Sequence, residues 1–353
     1  MVGGHRSLAV AYNSPDWGLN MAKQSLQDWE ARLQEVRSRT HAIQVEGEIQ
    51  STVARLHSLR HALYRLGEET IPELLRHFPV AAISVLESHF KYAVLSIVNS
   101  GPDYVERGLK LLREGQKPAI DIIALIHRRT TTIGEIVAHS LPFNSIGSIE
   151  NTLSELLGSD FKNLASEARD PYDVRSKRPD VPLIVQDIAA LWMDIAGTFD
   201  RRHILAHEAA SNYQVTFEQA KLAIDSVNEF TKMIDSILWS TIWRDQPLTQ
   251  PEIRDHAEMR VKDLRAGLAR LLREGRPLAL RRGEQVQFRR LHLEWKHFSL
   301  GWSKFETEGQ MGAFRRIFRS LAEETDLRGR VAQVNSWLRF GYVPSEPNDE
   351  LAE

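Results

Sequence analysis

The sequence predicts an all-α protein, a helical bundle preceded by a long helical segment and followed by a smaller helical domain. Three observations carry that reading. Apolar residues recur at spacings of three and four along almost the whole chain, while strand-like alternation is scarce. Two capping boxes, Thr216 to Gln219 and Thr249 to Glu252, stand at the head of periodic segments. Glycine and proline fall between those segments, as at Gly101-Pro102 and Gln246-Pro247.

Taken in order, Met21 to Leu66 forms one or two amphipathic helices, with a break near Gly47. Pro72 sits where a first helical turn tolerates proline. The strongly apolar run Leu74–Val98 is a core helix, stopped by Gly101-Pro102. Shorter helices follow over Tyr104–Arg113 and Ala119–Ala138, then a loop and helix over Asn144–Glu167. A polar connector, Arg169 to Pro182, leads into a helix over Leu183–Ala210 and a second from Thr216 to about Trp243. The domains predicted are an N-terminal helical segment, 1–70, a bundle, 71–245, a C-terminal helical domain, 251–340, and an acidic tail, 341–353. Charge shifts with them: 251–340 carries 19 basic and 12 acidic residues, and the tail carries four acidic and no basic ones.

Composition narrows the function classes. Hydrophobic residues at 42% and charged residues at 26% suit a globular chain and exclude disorder throughout. A net charge of −2 excludes a bulk polycation, so nucleic acid would meet a local patch. The absence of cysteine excludes disulfides, thiolate metal sites and cysteine nucleophiles, and suits a reducing compartment. The short stretch Leu8 to Ala11 is no signal-peptide core. The longest apolar candidate, Phe90–Val98, is interrupted by Lys91 and falls short of the ~20 residues a membrane helix needs. The expectation is a cytoplasmic protein with no membrane partner.

The informative segment is the end of the 183–210 helix, Phe199-Asp200-Arg201-Arg202-His203-Ile204-Leu205-Ala206-His207. At ~100° per residue, Ile188, Trp192, Ile195, Phe199 and Ala206 fall within ~60° and form a core stripe. Arg202 lies on one flank, and His203 and His207, one turn apart, on the other. Guanidinium matches phosphate oxygens, and imidazole moves protons near neutrality. Together they suit phosphodiester cleavage without a cofactor. Two other readings stay open. The histidines can be structural, with Arg201 and Arg202 answering the helix dipole. Alternatively, the histidine pair can bind zinc, although Glu208 points ~100° away from His207 and supplies no third ligand.

Arg202-His203-x-x-x-His207 resembles the Arg-polar-x-x-x-His signature of HEPN domains, helical modules that often act as metal-independent ribonucleases. Val85 to Phe90, including Glu87, resembles the opening helix of the RiboL-PSP-HEPN branch. Phe143 to Ile149 and Gly158 to Phe161 resemble its middle segment, and Ile195–His207 its motif helix. The similarity spans about residues 75–243. It implies an endoribonuclease acting on RNA, with Arg202 stabilising phosphate, His207 transferring the proton and His203 positioning its neighbours. Arg201 and Glu87 are the implied substrate-side neighbours. No metal or other cofactor is implied. The resemblance also implies a homodimer with a composite cleft, and a toxin or phage-defence role with an antitoxin or defence partner protein. The alternative is an inactive module that dimerises or binds RNA or nucleotide.

In the C-terminal domain, Arg276, Arg281, Arg282, Arg289 and Arg290 are interleaved with Trp295, Phe298, Trp302, Phe305, Phe314 and Phe318. Such a mixture suits single-stranded RNA or, equally, a solvated basic surface beside an aromatic core. Trp295 through Glu308 to Met311 and Thr325 to Arg328 resemble the helical N-terminal domain of LprI-like lysozyme inhibitors. Those proteins are exported and bear cysteines, so only the helical hairpin is carried over.

Overall fold

The computed structural model of the chain describes residues 48–69, 71–115, 132–207, 212–308 and 312–340. Among them there is no strand, only an isolated antiparallel bridge between Arg169 and Leu183. The chain divides into two compact units, Met1–Pro171 with Asp180–Arg244, and Tyr172–Pro179 with Asp245–Glu353. The helix expected over 21–47, the first part of that over 119–138, residues 208–210 and the acidic tail lie outside the described residues.

The first unit begins with α1 (Glu48–Leu66) and the single turn α2 (Pro72–Leu75). Helix α3 (His77–Val98) follows. The sequence predicts one helix from Leu74, but the run is interrupted at Arg76. Pro79 is the physical reason: it has no N–H to donate to the Leu75 carbonyl, so the helix restarts within a turn of it.

Twelve of the 22 residues of α3 are buried, Ile83, Leu86, Phe90, Val94 and Ile97 among them. They cover a wide arc because α3 packs against α1 and five later helices. These are α4 (Pro102–Gly115), α5 (Ile133–Ser140), α6 (Ile146–Leu157), α9 (Ile188–His207) and α10 (Phe217–Ser240). Two short helices intervene in the chain, α7 (Phe161–Ser166) and α8 (Pro171–Arg175), the latter falling mostly in the second unit. By length and composition, Pro72–Val98 is apolar enough to cross a membrane, and half of its most apolar window is buried inside the fold. This corrects the expectation that no such stretch exists. Lys91 interrupts the run without lowering its average enough to disqualify it.

Aromatic packing closes the core around α3. Phe90 meets Phe143 edge-on with centroids 4.1 Å apart, and Trp192 meets Phe230 at 5.3 Å. The Trp192 indole N–H donates to Glu150 over 2.7 Å, which satisfies the polar edge of a buried ring. Gly158, in the left-handed region at φ 68°, caps α6, and the Arg107 guanidinium lies 2.7 Å from where its Cβ would be. Arg107 donates to the Leu156 carbonyl over 3.0 Å, so α4 is tied to the end of α6.

A smaller cluster lies beside this core. Leu63, Leu75, Phe78, Val215, Ala220 and Ile224 are buried together, with Leu205 of α9 packed against them. The Thr216 capping box is present, with Thr216 accepting from the Gln219 N–H and Gln219 accepting from the Thr216 N–H. Helix α10 ends at Ser240 and passes into turns through 241–245, so it stops short of Trp243.

The second unit is built on α11 (Gln250–Arg281), α12 (Gln285–Glu306) and α13 (Gly312–Phe340). Helix α11 opens on the Thr249–Glu252 capping box. The Thr249 and Leu248 N–H groups, with Arg175 beside them, hold the Glu252 carboxyl below its ordinary value against its partial burial. Helices α11 and α13 share a core of Val261, Leu268, Leu327 and Val334. Tyr172–Pro179 belongs to this unit through Arg175, whose Nη1 donates to the Gln246 carbonyl and lies 3.4 Å from Glu252.

The junction of α3 with α5 gives a sharp stability test. Gly134 donates its N–H to Asn99 Oδ1 over 3.2 Å, and Asn99 Nδ2 donates to Thr132. A Cβ on residue 134 would stand 2.7 Å from Asn99 Oδ1 and 2.8 Å from the Leu95 carbonyl oxygen. The backbone contact cannot rotate away. Gly134→Ala is therefore expected to cost about 1–3 kcal/mol, in line with overpacking, read as a lowered urea midpoint. An unchanged midpoint would show that the helices can part without cost.

Candidate functional site

Helix α9 begins at Ile188, five residues later than the sequence predicts. Leu183 pairs with Arg169, and Ile184 donates its N–H to the Ala168 carbonyl, so the apolar run after Pro182 is extended. Asp187 then caps the helix, accepting from the Ala190 N–H over 2.9 Å.

The buried stripe of α9 contains Leu191, Trp192, Ile195, Thr198 and Phe199, with Ile188 packed against the same core. Thr198 is fully buried and donates its hydroxyl to the Asp194 carbonyl over 2.7 Å. Ala206, expected in the stripe, is exposed. Leu205 turns into the smaller cluster in its place, so the buried face shifts sideways in the last turn.

The site residues distribute as follows. Arg202 is half-buried, and its Nη2 lies 3.6 Å from Glu87 Oε1 on α3. That distance is an ion pair rather than a hydrogen bond. Both side chains keep more than a quarter of their surface exposed, so the pair is reached by solvent. Arg201 folds back along the helix beside Gly197, where a Cβ would stand 3.6 Å from Arg201 Nη1. That Nη1 is buried and makes no hydrogen bond. His203 is exposed. His207 closes α9, and its side chain lies outside those described. Arg202 and Glu87 are thus brought together, while Arg201 takes a separate environment on the same turn.

Three groups on α3 and α10 escaped the sequence reading. His89 is buried on α3, two residues after Glu87, with Nε2 3.3 Å from Asp235 Oδ1 on α10. Its spacing from Leu86 and Ala93 already puts it on the apolar face, which was the available signal. Asp235 carried none, since only packing sets it opposite His89. Glu229 is half-buried on α10 and is pushed up, chiefly by burial and next by Asp194 of α9. Lys232 opposes the shift and Asp225 adds to it.

In the second unit, Arg276, Arg281, Arg282, Arg289 and Arg290 are all exposed. Arg282 lies over the Trp337 ring, which stacks on Phe288, and Arg290 pairs with Glu294. Phe298, Trp302, Phe305 and Phe318 are exposed and Trp295 is half-buried, while the Phe314 side chain lies outside those described. No protein-family model, no curated protein and no solved structure matches the chain.

Chemically, a half-buried arginine paired with a carboxylate still keeps part of its guanidinium exposed. Such a group can receive a phosphate through its remaining donors.

The raised carboxyl of Glu229 has a consequence for stability. Its proton is held more tightly in the folded chain than in the unfolded one. Stability contributed at low pH is therefore lost as pH rises from the ordinary glutamate range through the raised value. Urea midpoints across that window should fall more steeply for the wild-type chain than for Glu229→Gln. Parallel profiles would show that the carboxyl does not titrate differently on folding.

Proposed function

We propose that the first unit is a metal-independent endoribonuclease of HEPN type. The observation that carries the reading is the approach of Arg202 to Glu87. One residue comes from the segment resembling the family's motif helix and the other from the segment resembling its opening helix. They are far apart in the sequence and 3.6 Å apart in space.

The reaction uses the substrate's own nucleophile. The ribose 2′-oxygen attacks the adjacent phosphorus and the bond from phosphorus to the 5′-oxygen breaks. The 2′-hydroxyl proton leaves to a base, and a proton is delivered to the departing 5′-oxygen. The products are a 2′,3′-cyclic phosphate and a 5′-hydroxyl. Arg202 binds the phosphate and stabilises charge in the transition state, and Glu87 fixes its orientation. His207 transfers the proton and His203 positions it. A second copy of the chain completes the cleft, and a toxin or defence setting fits such chemistry.

The test is end-group analysis on a defined RNA. His207→Ala and Arg202→Ala should each reduce cleavage by about 10²–10⁴-fold. Arg202→Lys should not restore it, because lysine lacks the planar fork. His203→Ala should be milder. DNA should resist, and EDTA should leave the reaction unchanged. EDTA-sensitive cleavage, or full activity in His207→Ala, would overturn the mechanism.

A further inference from the structure

A groove of about 440 Å³ runs between α11 and α13 of the second unit. Three guanidiniums line it, Arg260, Arg270 and Arg328, against the single carboxylate of Asp263. None of the three belongs to the dense arginine cluster further along the chain.

Two of these arginines are held by one buried acid. Glu324 is on α13, and its side chain is only 9% exposed. Arg328 donates to its Oε1 through Nε at 3.0 Å and Nη2 at 2.7 Å. Arg260 Nη2 lies 3.0 Å from Oε2. A carboxylate shared in this way orients two forks while leaving donors on each unused. Arg270 is exposed and has no carboxylate within ion-pair distance among the described residues. The cationic groups thus outnumber the acidic ones even with Glu324 included.

The floor between them is open and partly apolar. Gly267 faces the groove, and a Cβ built there would meet no atom within 4 Å. Leu264 and Val331 line the same floor. Fixed guanidiniums above an apolar floor suit a ligand with phosphoryl groups on one edge and rings or ribose on the other. A volume of this size falls in the range of small-ligand sites.

We propose that this groove grips the phosphates of a single RNA strand and so supplies a substrate-holding site separate from the Arg202 region. The choice of RNA over a free nucleotide rests on the ribonuclease reading, whereas the phosphate chemistry does not.

The experiment uses the full chain carrying His207→Ala, so that the strand is not consumed. Binding of a labelled single-stranded RNA is followed by fluorescence anisotropy at several salt concentrations. Arg270→Ala removes a group with no carboxylate to leave behind. Gly267→Glu places a carboxylate in the groove and improves helix propensity there, so it should not unfold α11. Each should weaken RNA binding about tenfold, and Arg270→Ala should flatten the salt dependence by roughly 0.7 in log–log slope, as for one lost phosphate contact on a single strand. Circular dichroism confirms that both variants fold.

Unchanged affinity and slope in both variants would overturn the proposal. RNA binding that depends on the groove, in a wild-type chain that cleaves nothing, would support it while removing the ribonuclease reading. Displacement of the RNA by adenosine monophosphate or inorganic phosphate would support the phosphate chemistry. If those two bind through the groove and RNA does not, a free nucleotide replaces the strand and the RNA proposal fails. Displacement only by a peptide of residues 341–353, whose charge is wholly acidic, would assign the groove to carboxylates and overturn it.

Discussion

Covering α3 is the constraint on which the first unit depends. A helix buried over so wide an arc cannot be satisfied by one neighbour, since a single packed helix shields only one stripe. The surrounding helices therefore converge on it from several directions, and their own apolar faces are fixed by where they meet it. The position of Glu87 follows from the same requirement. It occupies the part of α3 left partly open between its neighbours, and α9 arrives alongside with Arg202. The Arg202–Glu87 pair lies where coverage of α3 is incomplete, so both charges keep contact with solvent.

The all-α character was legible because it rests on local chemistry. The threonines at 216 and 249 announce their helices by a spacing of three to Gln219 and Glu252, and nothing distant is needed to read them. The errors lie where a longer-range or competing effect decides. Leu183, Ile184 and Val185 carry apolar weight that suits a helix, yet pairing with 168 and 169 holds them extended until Asp187 can cap. Pro79 lies within one continuous apolar run, although its missing donor favours a restart. Lys91 interrupts the apolar run but leaves its average hydropathy high.

The site was legible in part. The wheel of α9 identified the turn that carries Arg202 and His203, but it misplaced Ala206, because the last turn leans towards Leu205 and a second cluster. Periodicity alone could not have paired Arg202 with Glu87. That pairing was reached through likeness to a family, and the distance between the two side chains is a property of how α3 and α9 cross. In the second unit, density along the chain drew attention to Arg276 through Arg290. The arginines of the groove are spread over two helices and become neighbours only through the packing of α11 on α13.

The short excursion Tyr172–Pro179 bears on how such a chain could be divided. The segment leaves the first unit after Pro171, contributes Arg175 to the start of α11, and returns at Asp180. The two units are therefore interleaved in the chain rather than placed end to end. A single cut near residue 244 would leave the first part holding a strip that belongs to the second. It would also leave the second without the arginine at its first capping box. Recombination at one crossover could not exchange either unit intact.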